Sequence, residues 1–136
     1  MALIFATSCT FIERRVFIQF VGHYLPSGVT RQVWITFWGA FGLGVVKAYH
    51  VTEYALLCVL LFRGLRSRFK FSSALFAAAA LCLAFAASDE WHQTFVPGRG
   101  GTWVDVTIDA LGIGLACGFI LRRQRRAAQA RPLAGV

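Results

Sequence analysis

The chain has 136 residues, 57% of them hydrophobic and 15% charged, with a formal net charge of +8. The length gives room for one domain, and the apolar share exceeds that of a soluble domain, so the composition is that of a membrane protein. A charge of +8 would point to nucleic acid in a soluble protein. Here the basic residues gather beside apolar runs as topology signals, which argues against DNA binding.

Taken in chain order, Met1 to Ile12 is apolar but too short to cross a bilayer alone. It lacks the basic start and small-residue cleavage site of a signal peptide, and reads as the second half of a span whose first half is missing. Glu13 to Arg31 is too polar to span. Its Val16, Phe17, Phe20, Val21 and Tyr24 recur at helical intervals, which predicts an amphipathic helix lying in the interface, with a turn at Pro26 and Gly28. Trp34, Trp38 and Phe41 continue with aromatic-belt character, so residues 32–43 are expected to be an interfacial lead-in to a span over Gly44 to Phe62.

The next span, Ser72 to about Trp91, is rich in alanine and should be the most enclosed helix, because small side chains permit close helix approach. The last, about Thr102 to Leu121, carries Gly114 and Gly118 as a small-xxx-small pair. Each of these spans approaches the ~20 residues needed to cross a ~30 Å hydrocarbon core. The expected fold is an all-α integral membrane bundle. It has three full transmembrane helices, a partial N-terminal span and an interfacial helix, in one domain over 1–136 with its core at 44–121.

Arg63, Arg66, Arg68 and Lys70 lie between the second and third runs, and Arg122, Arg123, Arg125, Arg126 and Arg131 follow the last. The positive-inside rule places both clusters in the cytoplasm, with 122–136 as a basic cytoplasmic tail that frays at Pro132 and Gly135. The last two spans then form an outward hairpin tipped by the VPGRGG turn. Cys9, Cys58, Cys82 and Cys117 fall singly within apolar runs and read as small buried hydrophobes, without disulfide or zinc spacing.

Four of the six carboxylates sit within residues 88–112, SDEWHQTFVPGRGGTWVDVTIDALG. An acid within a span costs on the order of 2.5–3.5 kcal/mol by insertion scales and is kept where something pairs with it or uses it. In the predicted topology Lys47, His50, Glu53 and Tyr54 share one face of their helix at the depth where Asp89, Glu90, His92 and Gln93 end the next. Asp105 and Asp109, spaced i, i+4, start the last. The inner halves of all three are nearly featureless. An ion pair of Lys47 with Glu53 or across helices is the structural alternative for those two, and Glu90 is expected to point elsewhere, toward Lys47 or Arg99.

Three chemistries fit these residues. One is a divalent metal held by His50, Glu53, Asp89, His92 and Asp105, which would activate water against a lipid-linked ester or phosphate. Another is metal-free acid–base work by a carboxylate beside a histidine. The third is binding, with Lys47 and Arg99 on an anionic group and the acids on an amine or sugar hydroxyls. No serine-nucleophile motif and no complete phosphate-cradling loop is present.

The stretches KAYHVTEYALL at 47–57, SDEWHQTFVPGR at 88–99 and WVDVTIDALG at 103–112 resemble, in order and spacing, the KxxHxxEY, DExxQxFxPGR and DxxxNxxG pattern of the VanZ-like family of small bacterial membrane proteins. Asp109 stands where asparagine is frequent. The resemblance implies a four-helix membrane protein in a family whose best-known member confers low-level resistance to teicoplanin with little effect on vancomycin; an envelope-facing site agrees with the charge-derived topology, which expects a multi-pass protein of the bacterial cytoplasmic membrane with its C-terminus inside. Carried over residue by residue, it makes Lys47, His50, Glu53, Tyr54, Asp89, Glu90, Gln93, Arg99, Asp105 and Asp109 the functional positions without distinguishing binding from catalysis; the expected binding positions are Lys47, His50, Glu53, Tyr54, Glu90, Gln93, Arg99 and Asp109. Asp89, His92 and Asp105 would be the catalytic positions of an enzyme. The expected partners are membrane lipids and a lipid-linked envelope precursor or lipoglycopeptide. The competing functions are a metal-dependent membrane hydrolase or transferase and a scaffold for another membrane enzyme. The identity of a metal or other cofactor and the oligomeric state stay open at this point.

Overall fold

The computed structural model describes residues 14–26, 28–95 and 101–130. Among the described residues there are four helices and no strand: α1 (Arg14–Tyr24), α2 (Val29–Arg66), α3 (Phe71–Gln93) and α4 (Trp103–Gln129). The expected N-terminal half-span, Cys9, the hairpin tip with Arg99, and the tail from Arg131 lie outside the described residues. Gly44–Arg66, Phe71–Gln93 and Trp103–Gln129, of 23, 23 and 27 residues, are long and apolar enough to cross a membrane. At ~1.5 Å per residue each covers a ~30 Å core.

The lead-in expected at 32–43 is not a separate element. It is continuous helix within the 38 residues of α2, which at ~1.5 Å each extend about 57 Å. The reason is local. Once a helix is nucleated, extension adds a hydrogen bond per residue fixed, and no proline follows Pro26 before Pro97 to interrupt it. The break falls earlier, at Gly28, whose φ of 100° is a left-handed conformation that an L side chain rarely adopts. α1 returns along the α2 extension, where the Trp34 indole N–H donates to the Ile18 carbonyl at 3.3 Å. At the far end α4 also continues past the expected stop at Leu121, carrying its arginines as helix to Gln129.

The core forms where the three spans face one another: Tyr54 and Cys58 from α2, Ala78, Cys82 and Ala86 from α3, Ile113 and Ala116 from α4. Their spacings of three and four keep each set on one stripe. Small side chains dominate because association in lipid depends on close packing and not on expelling water. Leu56, Leu60, Phe76, Leu111 and Leu115 point outward as the lipid-facing surface.

α3 is, as its alanines predict, the most enclosed of the three spans: seven of its 23 residues are buried, against five of the 27 in α4. The closest backbone approach belongs to another pair: a Cβ at Gly112 would collide with the backbone carbonyl of Val51, so α4 lies directly on α2. Gly114 and Gly118 face open space and contribute nothing to this packing. Cys58 and Cys82 are buried free thiols and Cys117 is half-buried, as apolar filler would be.

Candidate functional site

One end of the bundle collects the polar residues of all three spans. On α2, Lys47, His50, Glu53 and Tyr54 occupy successive turns of one face, and Tyr54 is fully buried. On α3, Asp89, Glu90 and Gln93 are 1%, 6% and 5% exposed, and on α4 Asp109 is 2% exposed. Burying this many acids is tolerated because each is given a partner. Gln93 Nε2 donates to Asp89 Oδ2 at 3.0 Å, one helical turn away. Lys47 Nζ donates to Asp105 Oδ1 at 2.9 Å. His50 Nδ1 stands 3.9 Å from Asp109 Oδ1.

The start of α4 fixes Asp105 and Glu90 together. Thr102 is the N-cap, and its hydroxyl accepts from the Asp105 backbone N–H at 3.3 Å while donating to Asp105 Oδ2 at 2.7 Å. In a capping box the third residue also reaches back to the cap's own N–H. Here that N–H donates instead to Glu90 Oε2 at 3.1 Å, so α3 supplies the missing partner and the two helices are tied at their ends. A Cβ at Gly101 would strike the Glu90 carbonyl, which shows how tightly the chain entering α4 crosses α3. Asp105 in the first turn also suits the positive end of the helix dipole.

Of the two ion-pair alternatives stated for Lys47, the interhelical one is present: it pairs with Asp105 across the α2–α4 seam and not with Glu53 on its own helix. Two other expectations change. Glu90 is not turned away from the site, because the cap amide of Thr102 draws it inward. The five proposed metal ligands do not converge: among the described residues no group of three His, Cys, Asp or Glu side chains is arranged to hold an ion. Both oxygens of Asp105 are engaged by Lys47 and Thr102. His92 is half-buried on α3. Sequence reasoning missed Thr102, although the T-x-x-D spacing before an apolar run is a recognisable cap signal.

The Lys47–Asp105 pair should contribute modestly, since its side chains are 43% and 36% exposed. A double-mutant cycle with Lys47→Met and Asp105→Asn, read by thermal unfolding in detergent, is expected to give a coupling of about 0.2–1 kcal/mol. A coupling of several kcal/mol would mean that the pair holds the bundle together.

What stands uncommitted is on α2. The Tyr54 hydroxyl and Glu53 Oε2 are buried atoms that make no hydrogen bond within the protein, whereas His50 Nδ1, also without one, faces the Asp109 carboxylate at 3.9 Å. Tyr54 has Asp89, Asp109, Glu90 and Glu53 as its electrostatic neighbours. Such groups are normally satisfied, so two adjacent buried oxygens without a hydrogen bond, at Glu53 and Tyr54, are exceptions that call for a reason. A cavity of about 330 Å³ runs between α3 and α4, walled by Ala87, Trp91, Trp103 and Val106 and backed by Glu90 of the same cluster. Trp91 and Trp103 are 68% and 83% exposed, so the cavity opens toward the side of the bundle, where lipid lies.

This geometry defines a class: an all-helical membrane protein with a polar cluster assembled at one end of three spans. The chain belongs to the VanZ/LLP1 family, whose model matches residues 2–124. No significant match was found among curated proteins or among solved structures.

Proposed function

We propose that the polar cluster lies at the outer leaflet of the bacterial cytoplasmic membrane, with the C-terminus inside, and receives the head group of a lipid-linked or lipid-tailed envelope molecule. Through that site the protein lowers susceptibility to teicoplanin-type glycopeptides. The observation that carries the reading is the pair of adjacent buried oxygens, the Tyr54 hydroxyl and Glu53 Oε2, that make no hydrogen bond within the protein. The side cavity between Trp91 and Trp103 supports it, because an amphiphile can pass a chain there while its polar part meets the cluster. The orientation is supported by eight basic residues at 63–70 and 122–126, both at the opposite end. Binding is favoured over metal-dependent hydrolysis or transfer, since the acids that would hold an ion are spread among separate partners.

The test is expression in a glycopeptide-sensitive Gram-positive host beside an Asp89→Asn variant of equal membrane abundance. Asp89 accepts from Gln93 at the centre of the cluster, and neutralising it changes the site's charge with little change of volume. Selective protection against teicoplanin, absent for vancomycin and lost in the variant, is the expected result. Well-expressed protein that gives no protection would detach the site from glycopeptide resistance.

A further inference from the structure

The end of the bundle opposite the carboxylates holds a second cavity, of about 470 Å³, between the last turns of α2, the start of α3 and the second half of α4. Its walls combine two chemistries. Phe62, Phe71 and Phe119 form an aromatic floor, and Arg63, Arg66 and Arg123 stand around it. Phe62 and Phe71 meet edge to face with centroids 5.3 Å apart, and the Arg123 guanidinium lies 5.9 Å over the Phe119 ring. Arg66 donates to the Phe69 carbonyl at 3.1 Å, which holds it at the α2–α3 turn.

These arginines have no acid nearby in sequence. No Asp or Glu occurs between Glu53 and Asp89 or after Asp109. Both ion pairs of the described residues lie at the other end. Topology alone does not require such convergence. Arg68, Lys70, Arg122, Arg125 and Arg126 satisfy the positive-inside rule equally well and do not line the cavity. The dipole at the end of α2 accounts for Arg63 and Arg66, but not for Arg123 reaching the same space from another helix. Gathering three guanidiniums at the edge of a low-dielectric region is repulsive unless an anion joins them.

We propose that this cavity binds one anionic glycerophospholipid, its phosphodiester held among Arg63, Arg66 and Arg123 and the start of an acyl chain laid on Phe62, Phe71 and Phe119. Guanidinium matches phosphate oxygens in a bidentate fork, and basic pockets between transmembrane helices are suited to acidic head groups. The assignment is independent of the function proposed for the carboxylate end.

The experiment is a native mass-spectrometry titration of the full chain in neutral detergent. Its probes are phosphatidylglycerol, phosphatidylcholine of the same chains, and inorganic phosphate. Wild-type protein should retain phosphatidylglycerol in preference to phosphatidylcholine, a comparison that needs no variant. The Arg63→Gln/Arg123→Gln pair should weaken phosphatidylglycerol about thirtyfold, taking the usual contribution of two basic residues at a lipid surface. Arg122→Gln/Arg125→Gln, an equal loss of charge outside the cavity, should weaken it less than about threefold. Should the glutamine pair fail to fold, Arg63→Lys/Arg123→Lys keeps the charge and removes the fork, and an intermediate loss is expected. Equal retention of the two lipids, equal weakening by the two glutamine pairs, or stabilisation by inorganic phosphate as large as that by lipid would each overturn the assignment.

Discussion

Replacing Gly112 with leucine is expected to disrupt the bundle, whereas the same replacement at Gly114 or Gly118 is expected to leave it intact. At Gly112 the first added carbon meets the Val51 carbonyl, a backbone group that cannot rotate aside. Relief requires α4 to move off α2. Overpacking of this kind typically costs about 1–3 kcal/mol, and a backbone collision sits at the upper end or beyond. Gly114 and Gly118 face open space, so their substitution should stay within about 0.5 kcal/mol. The movement would also reach the site, because Gly112 lies one turn from Asp109 and Val51 is next to His50. Fluorescence-detected size-exclusion chromatography after a temperature series in detergent reads the effect. A Gly112→Leu protein as stable as the parent would show that α2 and α4 do not meet there.

The spans were legible because the run of apolar residues and the placement of arginines are both one-dimensional signals. The start of the first span at Gly44 and the chain order of the three spans follow from them directly. Continuity of α2 was not legible. Tryptophans, phenylalanines and glycines at 34–44 resemble an interface in composition, while helix propagation depends on the absence of a breaker and on the return of α1 against Trp34. Enclosure of α3 is legible from its alanines, which line the buried stripe at 74, 78 and 86. The closest backbone approach is not legible, because it rests on the single Gly112 of α4 meeting Val51 of α2.

At the site, residue types and faces could be read and partners could not. The i, i+3, i+7 spacing puts Lys47 and Tyr54 on a common face, yet nothing in it says that Lys47 will find Asp105. Glu90 illustrates the limit most sharply, because its partner is the backbone amide of Thr102, which a sequence pattern of side chains does not display. A metal site would need three such ligands brought together, and residue types on facing helices do not fix that: among the described residues no group of three His, Cys, Asp or Glu side chains is so arranged.

Tyr54→Phe is expected to separate stability from function. The substitution removes one oxygen from a fully buried ring whose hydroxyl makes no hydrogen bond within the protein. Leaving such a group buried costs about 1–3 kcal/mol, so the phenylalanine protein should melt at the same temperature as the parent or higher. If the cluster were a structural network, as in a scaffold for another enzyme, an oxygen without a partner would have no role and its loss would change nothing in activity. In a recognition site the same oxygen is the one held ready for a ligand, and its loss should abolish protection without lowering abundance. Glu53, beside it, has an oxygen in the same condition, and Glu53→Gln should behave alike.

The most direct measurement therefore pairs the melting temperature of purified Tyr54→Phe with teicoplanin susceptibility of the host expressing it, at matched membrane abundance. The predicted result is an unchanged or raised melting temperature together with loss of the protection given by the parent. Full protection from a stable Tyr54→Phe protein, or a loss of protection that only follows a loss of folded protein, would contradict a ligand site at this end of the bundle.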